Sequence, residues 1–220
     1  MVSVIAIDGP VAAGKTVVGR ALARRLGFRY LDTGVMYRAI TWLALQRGTS
    51  IDDEDALGAL AEEQPVRLKG QDSDRVLVGG LLVGTELREA RVNGQVSLVA
   101  RVSAVRRALV RQQRLLAAEG DIIMVGRDIG TVVLPDADLK VFLSASPECR
   151  AGRRWRELLD QGQTVEFQQV LQDTKARDEI DSCRADSPLV PAQGALLLDT
   201  EEMEVDQVVE RILMHIGRLP

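Results

Sequence analysis

The sequence predicts an α/β protein built on a parallel sheet, and three observations carry that prediction. Four short runs, Val2 to Ile7, Ile122 to Val125, Leu139 to Leu143 and Ala195 to Leu198, are nearly continuous in apolar character, as parallel strands covered by helices on both faces are. Each run ends in or just before polar residues: Asp8, Arg127 with Asp128, Ser144 and Asp199. The chain between them reads as helix, and strands alternating with helices argue a parallel sheet with right-handed crossovers.

The first run leads into a glycine-rich loop. Val18, Ala21, Leu22 and Leu26 then share one face, which predicts a helix over Lys15 to Leu26 with Gly27 near its C-terminus. A weaker strand covers Arg29 to Leu31 and ends at Asp32. The stretch 64–84 differs from the rest. Val66 to Leu68, Val76 to Val78 and Leu81 to Val83 are short β candidates, and Gly79-Gly80 fits a two-residue hairpin turn. This reads as a small β-containing insert in the α/β core. Residues 97 to 118 predict one long arginine-bearing helix. Ser146-Pro147 is an N-cap followed by proline at the first helical position, opening a helix through Leu159. Two further helices follow, over 165 to 181 and from about Val205 to Ile216.

Composition excludes several classes. The 220 residues are 46% apolar and 27% charged, an ordinary globular balance. At about 150 residues per domain they make one large domain, or a core with a smaller insert. No apolar run reaches about 18 residues, so no membrane span is expected. The apolar N-terminus lacks a basic n-region and is interrupted by Asp8, against a secretory signal. Cys149 and Cys183 are the only cysteines, which excludes a four-cysteine zinc site. His215 is the one histidine, against a Ser-His-Asp triad or a multi-histidine metal site. A net charge of −4 argues against sequence-independent nucleic-acid binding.

Gly9-Pro10-Val11-Ala12-Ala13-Gly14-Lys15-Thr16 matches G-x-x-x-x-G-K-[ST] at every fixed position, with a strand before it and a helix after it. The glycines let backbone N–H groups turn inward toward phosphate, and the helix N-terminus adds its dipole. Lys15 reaches toward the β- and γ-phosphates, and the Thr16 hydroxyl is a ligand for Mg²⁺. The chain is therefore expected to bind a nucleoside triphosphate, with Val17 closing the binding segment. The N-K-x-D guanine motif of switch GTPases is absent: Asn93, the only asparagine, is followed by Gly94. A small phosphotransferase is the leading class.

In an open α/β sheet the ligand sits beyond the carboxyl ends of the strands. There the sequence offers Asp32-Thr33-Gly34 with Tyr37-Arg38, then Gly126-Arg127-Asp128. Arg150, Arg153 and Arg154 lie close to one face of the helix opening at Ser146, and Arg177, Asp181 and Arg184 share a face of the next.

At this point the sequence resembles the bacterial cytidylate kinases. The resemblance covers nearly the whole chain and is strongest in L-D-T-G-V-M-Y-R at 31–38, V-G-R-D-I-G-T-V-V-L-P-D-A at 125–137 and K-A-R-D-E-I-D-S-C-R at 175–184. It implies the P-loop nucleoside monophosphate kinase fold: a five-stranded parallel core over 1–35, 100–148 and 165–220, a nucleotide-binding insert over 36–99 and a helical lid over 149–164. It implies transfer of the γ-phosphoryl group of ATP, with Mg²⁺, to CMP or dCMP. Thr33, Arg38, Arg127 and Arg177 match positions near the acceptor phosphate or its transfer path. Ser97, Arg106 and Asp128 match positions that read cytosine. Asp181 matches one reading the sugar hydroxyls, Arg184 one bordering the site, and Arg153 and Arg154 the lid arginines that approach the ATP phosphates. A cytoplasmic monomer, with no nucleic-acid or membrane partner, is expected. The rival is a hydroxyl-acceptor kinase of shikimate-kinase type, which needs a carboxylate near the acceptor, a role Asp128 or Asp32 could fill. A second rival is a nucleotide-binding regulatory module without turnover.

Overall fold

The structure is a computed structural model, and it describes residues 2–69, 75–183 and 186–217. In chain order, the first half holds β1 (Val4–Asp8), α1 (Lys15–Leu26), β2 (Arg29–Asp32), α2 (Thr33–Arg47) and α3 (Glu54–Glu63). It continues with β3 (Arg67–Lys69), β4 (Arg75–Val78), β5 (Leu81–Val83) and α4 (Ala90–Val99). The second half holds α5 (Ser103–Ala117), β6 (Ile122–Gly126), β7 (Leu139–Ser144), α6 (Pro147–Asp160), α7 (Phe167–Ser182), β8 (Leu196–Asp199) and α8 (Val205–Ile216).

Five strands form one sheet in the order β2-β6-β1-β7-β8, every pair parallel. All five strands expected from the sequence are present. Their side chains alternate between two hydrophobic layers, as the pleat requires. Ile5, Ile7, Ile123 and Val125 pack with Val18, Leu22 and Ile212 from α1 and α8. Ala6, Ile122 and Met124 pack on the other face with Met36, Ile40 and Leu109 from α2 and α5. Helices thus cover both faces. The chain leaves β1 toward β2 and leaves β7 toward β8, in opposite directions, and this reversal opens a crevice at the carboxyl ends of the strands.

The β-containing segment forms a separate antiparallel sheet, β3-β4-β5, with the turn at Gly79-Gly80 as expected. Its Val76, Val78 and Val83 join the hydrophobic layer of α2. The expected long helix over 97–118 is two helices: α4 ends at Val99 and α5 starts at Ser103. Turn bonds from Arg101 N to Leu98 O and from Val102 N to Val99 O carry the chain around the break. No helix among the described residues is long and apolar enough to cross a membrane.

Candidate active site

The glycine-rich loop leaves β1 beside β7, so closely that a Cβ on Gly9 would collide with the Leu143 carbonyl. Gly14 caps α1 in the left-handed region, φ 89°, and no side chain caps the helix. The first-turn amides are thus left for an anion to satisfy. Lys15 Nζ donates to Gly9 O at 2.7 Å and Pro10 O at 2.6 Å. Burial, and then the neighbouring Arg127, hold its ammonium well below the usual lysine pKa, against the pull of Asp32, Asp8 and Asp181. Thr16 Oγ1 donates to Asp32 Oδ2 at 3.4 Å, while Asp32 Oδ1 caps α2 through Gly34 N at 3.0 Å.

Two cavities meet at this loop. The smaller, about 160 Å³, runs from Lys15 toward β6 and α4. The larger, about 550 Å³, runs from the same loop under α6. Both are lined by Val11, Ala12, Lys15, Thr16, Asp32, Arg38 and Arg177. Thr33, Ser97, Arg106, Arg127, Asp128 and Asp181 line only the smaller one. Val17, Arg153 and Arg154 line only the larger one. The site residues expected from the sequence therefore fall into two groups around three shared cations, Lys15, Arg38 and Arg177. Gly9, Pro10 and Ala13 shape the loop without lining either cavity, and Arg184 lies outside the described residues.

The smaller cavity is polar at its far end. Arg106 Nη2 pairs with Asp128 Oδ2, both side chains almost completely buried. Arg106 also donates to Ala100 O at 3.3 Å and lies 5.7 Å over the Tyr37 ring. The break between α4 and α5 makes this possible. Nine residues on one straight helix span about two and a half turns, which would put Ser97 and Arg106 on opposite faces. With the break, both line one cavity. Nearer the loop, Arg127 Nε donates to the buried Asp181 carboxylate at 2.7 Å. Thr33 Oγ1 donates to Val125 O at 2.9 Å, so its hydroxyl faces the cavity as an acceptor. Arg38 donates to Asn93 Oδ1 at 3.5 Å. Burial lowers its pKa, and the charges of Arg88, Arg127 and Arg154 add to the effect.

The three arginines of α6 do different things. Arg150 is buried and grips Asp178 of α7 with two nitrogens, at 3.0 and 2.5 Å, while also donating to Val11 O at 3.2 Å. It fastens the base of the α6–α7 pair to the phosphate loop. Arg153 donates to Thr200 Oγ1 at 3.0 Å and to the Thr200 carbonyl, a tie to the end of β8. Among the described residues Arg154 pairs with Glu157 of its own helix, at 2.7 Å on a partly exposed surface.

A family model described as cytidylate kinase matches residues 5–218. This chain belongs to the cytidylate kinase family. A cytidylate kinase from Pelotomaculum thermopropionicum is 48% identical over 215 residues, covering 97% of this chain and 95% of the relative. One from Desulfitobacterium hafniense is 46% identical over 209 residues, 95% and 90% of the two chains. The fold is also that of a shikimate kinase from Bacteroides thetaiotaomicron, with TM-score 0.50 at 14% identity over 98% of each chain. This likeness speaks to the fold alone. The family is an enzyme family of P-loop nucleotide phosphotransferases, and the arrangement here is read in that light.

Three residues that the sequence analysis placed at strand ends, with no role in the cytidylate kinase reading, now gain partners beside the site. Tyr37 supports Arg106. Asp32 joins Thr16 to the start of α2. Asp8, only 2% exposed, accepts from the Ile129 and Gly130 amides at 2.8 and 2.7 Å. Burial raises its pKa to about 6, with the two amides opposing and Asp128 reinforcing the shift. The available signal was its place at the carboxyl end of the central strand.

Proposed function

We propose that this protein is an ATP-dependent CMP and dCMP kinase, with ATP in the larger cavity and the acceptor in the smaller. The observation that carries the reading is that two cavities of different character converge on Lys15, one ending in the buried Arg106–Asp128 pair. The reaction is ATP + CMP to ADP + CDP, the acceptor phosphate oxygen attacking the γ-phosphorus as the bond to ADP breaks. That oxygen is already anionic at neutral pH, so no general base is needed. The commitments of the two rival carboxylates agree with this: Asp128 is held by Arg106, and Asp32 by Thr16 and Gly34.

Catalysis then rests on positioning and on neutralising charge. Lys15 takes the β- and γ-phosphates. Arg38, Arg127 and Arg177 receive the acceptor phosphate, with Asp181 aiming Arg127 and also serving the sugar. Thr33 lines the approach, and Ser97, Arg106 and Asp128 read the base. Arg184 borders the same site. Arg153 and Arg154 close on the triphosphate from a lid over 149–164, above a nucleotide insert over 36–99 and a core over 1–35, 100–148 and 165–220. Mg²⁺ suits Thr16 and Asp32, two adjacent oxygen donors beside the loop. When bound, Mg²⁺ neutralises charge on the phosphates. Lid closure excludes water and so suppresses ATP hydrolysis.

The test is ADP release in the presence of single acceptors: CMP, dCMP, UMP, AMP and small hydroxy acids. The proposal expects strong turnover with CMP and dCMP. Turnover with a hydroxy acid alone, or ATP binding without acceptor-dependent turnover, refutes it.

A further inference from the structure

Arg127 and Asp128 leave β6 at a point where the chain must turn sharply. It does so through a five-residue π turn over Ile129–Val133. That turn is gripped at both ends. At its start the two Asp8 oxygens each take one amide, Ile129 N at 2.8 Å and Gly130 N at 2.7 Å. At its end Arg114 donates to Val133 O at 2.9 Å and Val132 O at 2.7 Å. Within the turn, the Asp128 carbonyl accepts from Val132 N and Val133 N at 2.9 and 3.2 Å. The backbone of Asp128 is thus fixed while its side chain reaches Arg106. Asp8 is also the residue before Gly9, whose carbonyl receives Lys15 Nζ. One buried carboxylate therefore stands between the phosphate loop and the acceptor cavity.

We infer that Asp8 is a positioning residue for acceptor recognition: by holding the Ile129 and Gly130 amides it sets Asp128 and Arg127 against the phosphate loop. The role requires a carboxylate. Two converging N–H donors need two acceptor atoms, and the asparagine amide would turn a donor toward one of them. Nothing in the phosphoryl transfer itself uses Asp8, yet a charge is kept in a nearly water-free site, where an unpartnered polar group is costly. The inference rests on the acceptor reading proposed above.

The experiment compares CMP and Mg-ATP binding, by titration calorimetry, in the wild type, Asp8→Asn, Asp128→Asn and the double variant. Asp8→Asn is expected to weaken CMP binding by about tenfold or more, the scale of one buried donor left unsatisfied, with ATP binding within about twofold of wild type. In the double variant the two losses should fall well short of multiplying, because both act through one segment. Equal losses for CMP and ATP, CMP binding within about twofold of wild type, or a full product of the single effects would each overturn the inference. Should Asp8→Asn not fold, Arg114→Met releases the far end of the same turn from the surface and is expected to give the same acceptor-selective loss; an unselective or negligible effect overturns the inference. If the wild type turns over a different acceptor, the functional reading fails there, and the variants are compared on that acceptor.

Discussion

Replacing Asp128 with asparagine keeps the side-chain shape and removes its charge. Both members of the Arg106–Asp128 pair are almost fully buried, at 5% and 6% side-chain exposure, so water does little to screen the change. Cytosine offers an N4 amino donor beside an N3 acceptor, which suit a carboxylate and a guanidinium respectively. Uracil offers O4 and N3–H at the same places, leaving two acceptors opposed and Arg106 facing a donor. Each buried mismatch costs about 1–3 kcal/mol, about fivefold to 150-fold, so the wild type should reject UMP strongly. With its oxygen toward cytosine N4, the asparagine turns its NH₂ group against Arg106, donor against donor; with its NH₂ group toward uracil O4, its oxygen stays with Arg106. Asp128→Asn should therefore lower kcat/KM for CMP by about tenfold to a hundredfold and change it much less for UMP. Arg106 keeps its bond to Ala100 O and its place over Tyr37, so the fold should survive, below the full cost of about 3–5 kcal/mol for an abandoned buried charge. The assay is ADP release at saturating ATP with each acceptor in turn. An equal fall for both acceptors would refute the base-reading role and leave Asp128 as a support for its neighbours.

Lys15→Ala should remove about 3–4 kcal/mol of transition-state stabilisation, a loss of two to three orders of magnitude in kcat, with the fold intact; near-normal turnover in a folded variant would contradict the assignment of the loop. Arg154→Ala should lower kcat while leaving the KM for CMP near wild type, because its pair with the helical neighbour Glu157 is partly exposed and easily exchanged for a contact made late. Arg153→Ala should in addition lower the unfolding midpoint, since it severs the tie to Thr200. The pKa of Asp8, about 6 in the folded chain, lies above its ordinary 3.8. The folded state then binds this proton more tightly than the unfolded one. Stability from this group is fully present below about pH 4 and is lost as pH rises through about 6, a swing of about 3 kcal/mol. Denaturant unfolding of wild type and Asp8→Asn across that range should show the slope in the difference between them, and a flat difference would contradict it.

Much of the architecture was legible because it depends on local pattern. Short apolar runs, the glycine-rich loop and the Ser146-Pro147 cap locate strands and helices without reference to neighbours. What escaped depends on tertiary context. Helix α2 buries Met36, Tyr37, Ile40, Trp42 and Leu43 around most of its circumference, so it lacks the one-sided period that marks a surface helix. The break between α4 and α5 contains neither glycine nor proline. Its consequence, Ser97 and Arg106 lining one cavity, appears only once the chain has turned. The chemistry-bearing residue types at the strand ends were readable, but their pairings were not. Arg127 with Asp181 and Arg150 with Asp178 join residues far apart in sequence. The α6 arginines, which share a face by spacing alone, divide between the core, Thr200 and the helix surface.

The central claim is that the acceptor is a phosphate on a cytosine nucleotide, reached from ATP across Lys15. Phosphorus-31 NMR of the protein incubated with Mg-ATP and CMP tests it most directly. Transfer to CMP gives a new pair of mutually coupled α and β signals of CDP, growing in step with those of ADP and absent in Lys15→Ala. A rise of inorganic phosphate in place of CDP, or a phosphomonoester signal formed only when a hydroxyl acceptor is supplied, would contradict it.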